Sequence, residues 1–394
     1  MSKDPEELVG SLEVVAPINI AVIKYWGKKD VEAMIPLNDS VSISVDALHA
    51  RTKLEVRKRG LGSDTLLVND VPVSVDVDSR PYRVFAEVRK FLEKSARDSG
   101  ADVSSYSFHL ISVTNFPTSA GLASSAAGFA AMAFAFGQFF QFQPSDVMRL
   151  ARLGSGSAAR SLEPGWIRWK ASSGLSEVVA PPDHWPDLRA LIVVVSDRPK
   201  TTGSTLGMQR SVETSALLQY RVEHCVPAHL HQLCTALQQR NMPQFAQVVM
   251  QESNQLHAIC LDSQPPLFYL NDTSTSLIQL VHAYNEAQTQ TRPEVGDAGT
   301  GVVAYTFDAG PNACLFLQAA TVPNFLSYLC AAFPNDQLDK FILSDSPVSL
   351  LEKARLNLSL IPFQPKPNAV QYVVVSQLGS GPYVVTPSRT VTPI

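Results

Sequence analysis

The sequence predicts a fold that mixes strands and helices in two domains, and three observations carry that expectation. The chain has 394 residues, more than one hydrophobic core normally serves. Strand-like apolar runs and helical stripes occur in both halves. Near residue 195 the texture changes from strands and short loops to long helical patterns, which sets the expected domains at 1–195 and 196–394.

In chain order, residues 14–23 read as a buried strand, and 40–46 alternate in the manner of a second. Residues 51–57 and 66–68 suggest two more, parted by the turn Gly60-Leu61-Gly62-Ser63-Asp64. An amphipathic helix is expected over 81–95 and a strand over 105–114. That strand runs into Asn115-Phe116-Pro117-Thr118-Ser119-Ala120-Gly121-Leu122-Ala123-Ser124-Ser125-Ala126-Ala127-Gly128. From 119 to 137 every residue is Ala, Gly or Ser except Leu122, Phe129, Met132, Phe134 and Phe136. Small residues that open a helix can present bare N–H groups to an anion. They equally suit a helix packed closely in a core, and the segment alone does not separate the two. A short helix follows at 145–152, then a Gly-Ser-rich loop at 154–157 and a doubly buried strand at 188–196. Helices are expected at 215–239, 242–259, 274–287 and 322–333, with strands at 301–308, 312–317 and 371–377.

A hydrophobic content of 45% with 17% charged residues is ordinary for a globular protein. The net charge of −4, with no basic run, excludes an electrostatic footprint for nucleic acid. Five cysteines without a Cys-x-x-Cys argue for a reducing compartment and against a structural zinc site. The acidic N-terminus has no apolar stretch, so no signal or transit peptide is expected there. The longest apolar run, 126–140, is too short and interrupted to span a bilayer. The expectation is a cytoplasmic protein with no membrane partner.

Cations stand beside the Gly/Ser segments: Lys24 and Lys28 flank Tyr25-Trp26-Gly27, and Arg160 follows Gly154-Ser155-Gly156-Ser157-Ala158-Ala159. Paired this way they suit several phosphates, although any one of them alone is more often a solvated surface charge. Asp308, in Phe307-Asp308-Ala309-Gly310-Pro311-Asn312, reads either as a general base beside a cation or as an Asx-turn. Asp297 is a weaker rival in a loop. His229 and His231 point about 200° apart on a helix, which argues against a shared metal site. Ser125 lacks the Gly-x-Ser-x-Gly elbow of a hydrolase nucleophile.

With those residues laid out, the chain resembles the diphosphomevalonate decarboxylases of the GHMP kinase superfamily. Residues 16–28 (Ala-Pro-Ile-Asn-Ile-Ala-Val-Ile-Lys-Tyr-Trp-Gly-Lys) resemble the family's N-terminal signature, and Asn115 to Gly128 its phosphate loop. Gly154 to Leu162 resembles its Gly-Ser-Gly-Ser-Ala-x-Arg-Ser-Leu element, and Ala304 to Ala313 its C-terminal catalytic motif. Thr202-Gly203-Ser204-Thr205, with Gly207-Met208, extends the likeness. There are departures. Ala159 stands where the family usually has Cys, Ser119 gives Thr-Ser-Ala-Gly for the commoner Thr-Ala-Ala-Gly, and Glu163-Pro164-Gly165 replaces an aromatic and two glycines.

The resemblance implies an α+β fold of two fused GHMP-type domains, ribosomal-S5-like then ferredoxin-like, with the active site in the cleft between them. It implies ATP-dependent conversion of mevalonate 5-diphosphate to isopentenyl diphosphate, ADP, phosphate and CO2, with Mg2+, commonly by a homodimer. Asp308 would orient or deprotonate the 3-hydroxyl, Arg160 hold the substrate carboxylate, and Ser125 stand near the transferring phosphoryl group. Tyr25, Lys28, Arg80, Ser155, Ser157 and Ser204 would bind substrate, the diphosphate above all. Lys24, counted with the catalytic residues, and Asn19, counted with the substrate-binding ones, would lie near the nucleotide phosphates. So would the backbone of Gly121, Leu122, Ala123, Ser124 and Ser125. No dedicated protein ligand for Mg2+ is expected, since phosphates supply oxygens. The alternatives are a related small-molecule kinase without decarboxylation and a non-catalytic nucleotide-binding protein of the same fold. Arg160 and Asp308 together favour the decarboxylase.

Overall fold

The computed structural model describes residues 7–32, 34–58, 63–99, 106–116, 124–198, 200–291, 301–344, 347–351 and 356–386. The first half holds β1 (Leu8–Ile23), β2 (Lys28–Asp30), β3 (Ile35–Pro36), β4 (Ser40–Lys58), β5 (Thr65–Val68), β6 (Val71–Val73) and α1 (Arg80–Ser99). These are followed by β7 (Tyr106–Thr114), α2 (Ser124–Phe140), α3 (Pro144–Gly154), β8 (Trp166–Trp169), β9 (Ser176–Ala180) and β10 (Leu188–Val194). Then come α4 (Ser204–Thr214), α5 (Ala216–Tyr220), α6 (Val226–Gln239), α7 (Met242–Asp262) and α8 (Asp272–Thr291). The remaining elements are β11 (Val303–Phe307), β12 (Ala313–Gln318), α9 (Val322–Ala332), α10 (Leu338–Phe341), β13 (Ile342–Ser344), β14 (Tyr372–Ser376) and β15 (Tyr383–Thr386).

An eight-stranded sheet runs β15-β1-β4-β7-β5-β6, with β8 and β9 branching from β4. A five-stranded sheet runs β11-β12-β10-β14-β13, and the pair β2-β3 stands apart. Sheet membership crosses the boundary expected at 195. β10 belongs to the second sheet, and β15, near the C-terminus, returns to pair with β1.

Two expected strands, 40–46 and 51–57, are one 19-residue strand. The reason lies in its register, where Pro17 faces His49 but the next residue, Ile18, faces Val45. Residues 46–48 bulge out of the ladder, bending the strand rather than ending it. The bulge finds other partners: the Asp46 N–H donates to Gln377 O at 3.2 Å and the Ala47 N–H to Ser376 Oγ at 2.9 Å. Asn115 clamps it as well, donating to Ala47 O at 2.7 Å and accepting from the His49 N–H at 2.9 Å. The bend lets one half of β4 pair with β7 and the other half with β8.

β1 alternates at its start and is buried on both faces from Val14 onward, because helices cover both sides. α2 packs against β1 and β4, and Ala126, Ala127, Ala130, Ala131, Ala133 and Ala135 are all buried. Those alanines therefore serve close packing, whereas Gly128 does not, since a Cβ there would meet nothing within 4 Å. Phe245 of α7 joins the two sheets, with Trp166, Trp185 and Phe316 rings 5.6–5.7 Å away. The helical pattern expected over 215–239 is interrupted by a π turn at Arg221–Cys225. The Gly-Ser loop expected at 154–157 instead enters a 3-10 turn, Gly156–Ser161.

The Glu163-Pro164-Gly165 departure has a defined path. Gly165 has φ +95°, its N–H donates to Gly379 O at 2.8 Å, and a Cβ there would lie 2.4 Å from Ala180 O. Gly165→Ala is therefore expected to cost about 1–3 kcal/mol in stability, read as a lower urea midpoint at unchanged slope. A variant as stable as the wild type would contradict this path.

Candidate active site

A cleft of 460 Å³ opens where β1, α2, the 156–161 turn, α4, α7 and the turn after β11 converge. Its lining includes Asn19, Tyr25, Lys28, Arg80, Ser124, Ser125, Ser155, Ser157, Arg160, Ser204 and Asp308. Positions spread from 19 to 308 are thus brought to one place. Gly121, Leu122 and Ala123 lie outside the described residues, as does Asp297.

Lys24 closes the end of β1. It is buried rather than solvated, with a side-chain exposure of 1%, and its Nζ donates to Asp308 Oδ1 at 2.5 Å. The Asp308 carboxylate thus has a cation beside it. The carboxylate keeps 32% exposure and borders the cleft.

Arg160 is buried just as deeply, at 2% exposure. Its Nε donates to Ser42 Oγ at 3.0 Å and to Asn19 Oδ1 at 3.3 Å. Asn19 in turn donates to Ser157 O at 3.0 Å and Ser161 Oγ at 2.8 Å, tying β1 to the 156–161 turn. The guanidinium lies 5.4 Å from the Trp169 ring and 5.9 Å from Tyr25. Nη1 is buried with no hydrogen-bond partner among the described residues, and so is the Tyr25 hydroxyl. Burial pulls the Arg160 pKa down to about 10, against the opposing pull of Tyr25 and Asp308. Burial likewise raises that of Tyr25. A desolvated cation with an empty donor is poised for an anion. Gly156 makes the arrangement possible, since a Cβ there would come within 2.9 Å of the Trp169 ring and 3.2 Å of the Tyr25 hydroxyl.

Hydroxyls line the adjoining wall: Ser155 Oγ lies 3.4 Å from Ser125 Oγ and 3.2 Å from Ser157 Oγ. Ser124 and Ser125 form the first turn of α2, where helix N–H groups favour negative charge. At the far end stand Lys28 and Arg80, the latter with its guanidinium 5.4 Å from the Phe129 ring. Burial, then the neighbouring Arg80 and Arg83, lowers the pKa of Lys28. Bound anions would relieve that repulsion.

Three contributors escaped the sequence reading. Lys200 borders the cleft and donates to Ala309 O at 3.0 Å. Glu252 and Arg221 are buried as an ion pair behind Lys24. Glu252 carried a legible signal, a carboxylate on the buried stripe of α7 that includes Phe245, Val249, Leu256 and Ile259. His229 did not stand out as a metal ligand, and its Nδ1 donates to the carboxylate oxygen Glu252 Oε1, 2.6 Å away.

Among the described residues no group of three or more His, Cys, Asp or Glu is placed to hold a metal ion. Among them, too, no helix is long and apolar enough to cross a membrane.

Comparison with known proteins follows the same lines. A family model described as the diphosphomevalonate decarboxylase-like N-terminal domain matches residues 16–180. One described as the mevalonate 5-diphosphate decarboxylase C-terminal domain matches 190–385. The diphosphomevalonate decarboxylase of Danio rerio is 39% identical over 392 residues, covering 96% of this chain and 95% of that protein. That of Rattus norvegicus is 40% identical over 399 residues, covering 98% and 95%. The solved structure of mevalonate diphosphate decarboxylase from Trypanosoma brucei superposes with a TM-score of 0.81 at 32% identity, over 96% of this chain and 98% of that one. Likeness of this extent, running through all four motifs and both sheets, places the chain in the diphosphomevalonate decarboxylase family, with its α+β GHMP-kinase-like fold.

Proposed function

We propose that the chain catalyses ATP-dependent decarboxylation of mevalonate 5-diphosphate to isopentenyl diphosphate, ADP, phosphate and CO2, in the mevalonate route to isoprenoids. The observation that carries this reading is the meeting in one cleft of Arg160, with its unpartnered Nη1, and the Lys24-paired carboxylate of Asp308. A kinase for a simple alcohol needs only the second of these. A cytoplasmic homodimer belongs to the same reading.

Loss of CO2 from a saturated 3-hydroxy acid strands an electron pair unless C3 becomes electron-poor. Phosphorylation of the tertiary hydroxyl supplies a leaving group, and its departure draws the electrons of the breaking C–C bond into an alkene. Asp308 orients the hydroxyl and accepts its proton as oxygen attacks the γ-phosphorus of ATP. Lys24 fixes that carboxylate and offsets its charge. Arg160 pairs with the substrate carboxylate in a desolvated setting, holding the scissile bond against C3. Lys28 and Arg80, with Tyr25, Ser155, Ser157 and Ser204, take the diphosphate end.

Ser124 and Ser125 at the start of α2, together with Lys24, Asn19 and Lys200, suit the nucleotide phosphates. Asp308 is the single carboxylate bordering the cleft among the described residues. That fits Mg2+ held chiefly by phosphate oxygens, where it would neutralise their charge.

Purified protein given mevalonate 5-diphosphate, ATP and Mg2+ is expected to release one CO2 per ADP. ADP without CO2 would establish a kinase instead. Asp308→Asn is expected to lower turnover by about 10²–10⁴-fold while the ATP dissociation constant, measured by calorimetry, changes little. An active Asp308→Asn enzyme would remove Asp308 from the role of base.

A further inference from the structure

The Lys24–Asp308 contact joins segments of two different sheets, so its geometry depends on how those segments are held together. β11 lies at the edge of the five-stranded sheet, and among the described residues its outward amides have no strand to pair with. Helices supply the partners. Asn285 of α8 accepts from the Val303 N–H at 2.9 Å and donates to Val303 O at 2.8 Å, at the start of the strand. At the other end, next to Asp308, the Phe307 N–H donates to Ser253 Oγ of α7 at 2.9 Å. The preceding residue on α7, Glu252, is fully buried and accepts from the Lys24 N–H at 2.7 Å.

Glu252 is itself fixed from the opposite side. His229 of α6 meets its Oε1 at 2.6 Å, and Arg221 of the π turn pairs with its Oε2. Arg221 Nη2 also donates to Lys24 O at 3.2 Å, and Asn38 Nδ2 donates to the same oxygen at 3.0 Å. Lys24 is therefore held at both backbone polar groups, and the residue before Asp308 is held at its amide.

We infer that Glu252 and Ser253 form a positioning clip for the reaction. Two adjacent residues on one helix hold the backbones that carry Lys24 and Asp308, and so set the separation of the pair. The inference rests on the chemical roles given above to Lys24 and Asp308. Glu252 carries the network and tolerates little change, whereas Ser253 contributes one hydroxyl and offers the cleaner test. The clip makes Ser253 a positioning residue and not merely part of a buried helix face.

The test compares Ser253→Ala, Ser253→Thr and Ser253→Val, since Thr and Val have nearly the same shape and differ in the hydroxyl. Ser253→Ala and Ser253→Val are expected to lower kcat about 10- to 100-fold with KM for ATP and substrate within about threefold, and Ser253→Thr to restore kcat. A crystal structure of Ser253→Ala is expected to show Lys24 Nζ and Asp308 Oδ1 drawn apart from their 2.5 Å contact. Wild-type kcat in the Ala variant with the contact intact would overturn the clip, as would equal rescue by Thr and Val. If the Thr and Val variants do not fold, the Ala variant decides through its kcat and its structure. Wild-type protein that forms ADP without CO2 would instead overturn the decarboxylase reading. The clip would then be judged on the rate of ADP formation.

Discussion

The Lys24–Asp308 ion pair is the constraint on which the rest of this molecule depends. An ammonium at 1% exposure is tolerable only beside a counter-charge. Asp308 supplies it from the turn after β11, 284 positions along the chain. To bring the two together, β1 must run between helices to its last residue and β11 must end at the cleft. The contact also leaves a carboxylate with one side held and the other toward solvent and substrate. A fixed, partly exposed anion beside a buried cation is what an attacking hydroxyl needs in order to be aligned and deprotonated.

The second cation, Arg160, is arranged by a different logic. It has hydroxyl, amide and aromatic neighbours but no carboxylate ion-paired to it among the described residues. Leaving a buried Nη1 unpartnered is unfavourable in the free protein, and that deficit becomes binding energy for an anionic ligand. One half of the cleft thus contains a satisfied charge pair and the other an unsatisfied charge. The difference corresponds to the two groups of the proposed substrate, a hydroxyl to be activated and a carboxylate to be held and lost.

Much of this was legible in the sequence, for identifiable reasons. Residues 16–28, 154–162 and 304–313 carry their chemistry in short segments, so side-chain type and spacing suffice to find them. Leu188–Val194 announces itself as a continuous apolar run, and Met242–Asp262 by its helical period. What did not show depends on distant partners. The bulge at 46–48 is stabilised by residues 376–377 and by Asn115, and no local pattern near Asp46 reports that. The return of β15 to β1 is likewise a long-range pairing. Glu252 stands out only as a carboxylate on an apolar stripe and Ser253 not at all, and it is their contacts with Lys24 and Phe307 that give them meaning. The Ala-rich helix illustrates a shared cause. Its first turn borders the cleft while its alanines from 126 onward are buried against β1 and β4, so the close-packing reading holds for those alanines.

A double-mutant cycle tests the central claim most directly: kcat/KM for wild type, Lys24→Met, Asp308→Asn and the double variant, with folding checked by circular dichroism and thermal unfolding. If Lys24 acts by holding Asp308, the double variant should be scarcely worse than the poorer single variant, a strongly non-additive cycle. Losses that simply multiply would show the two side chains acting independently and would contradict the account.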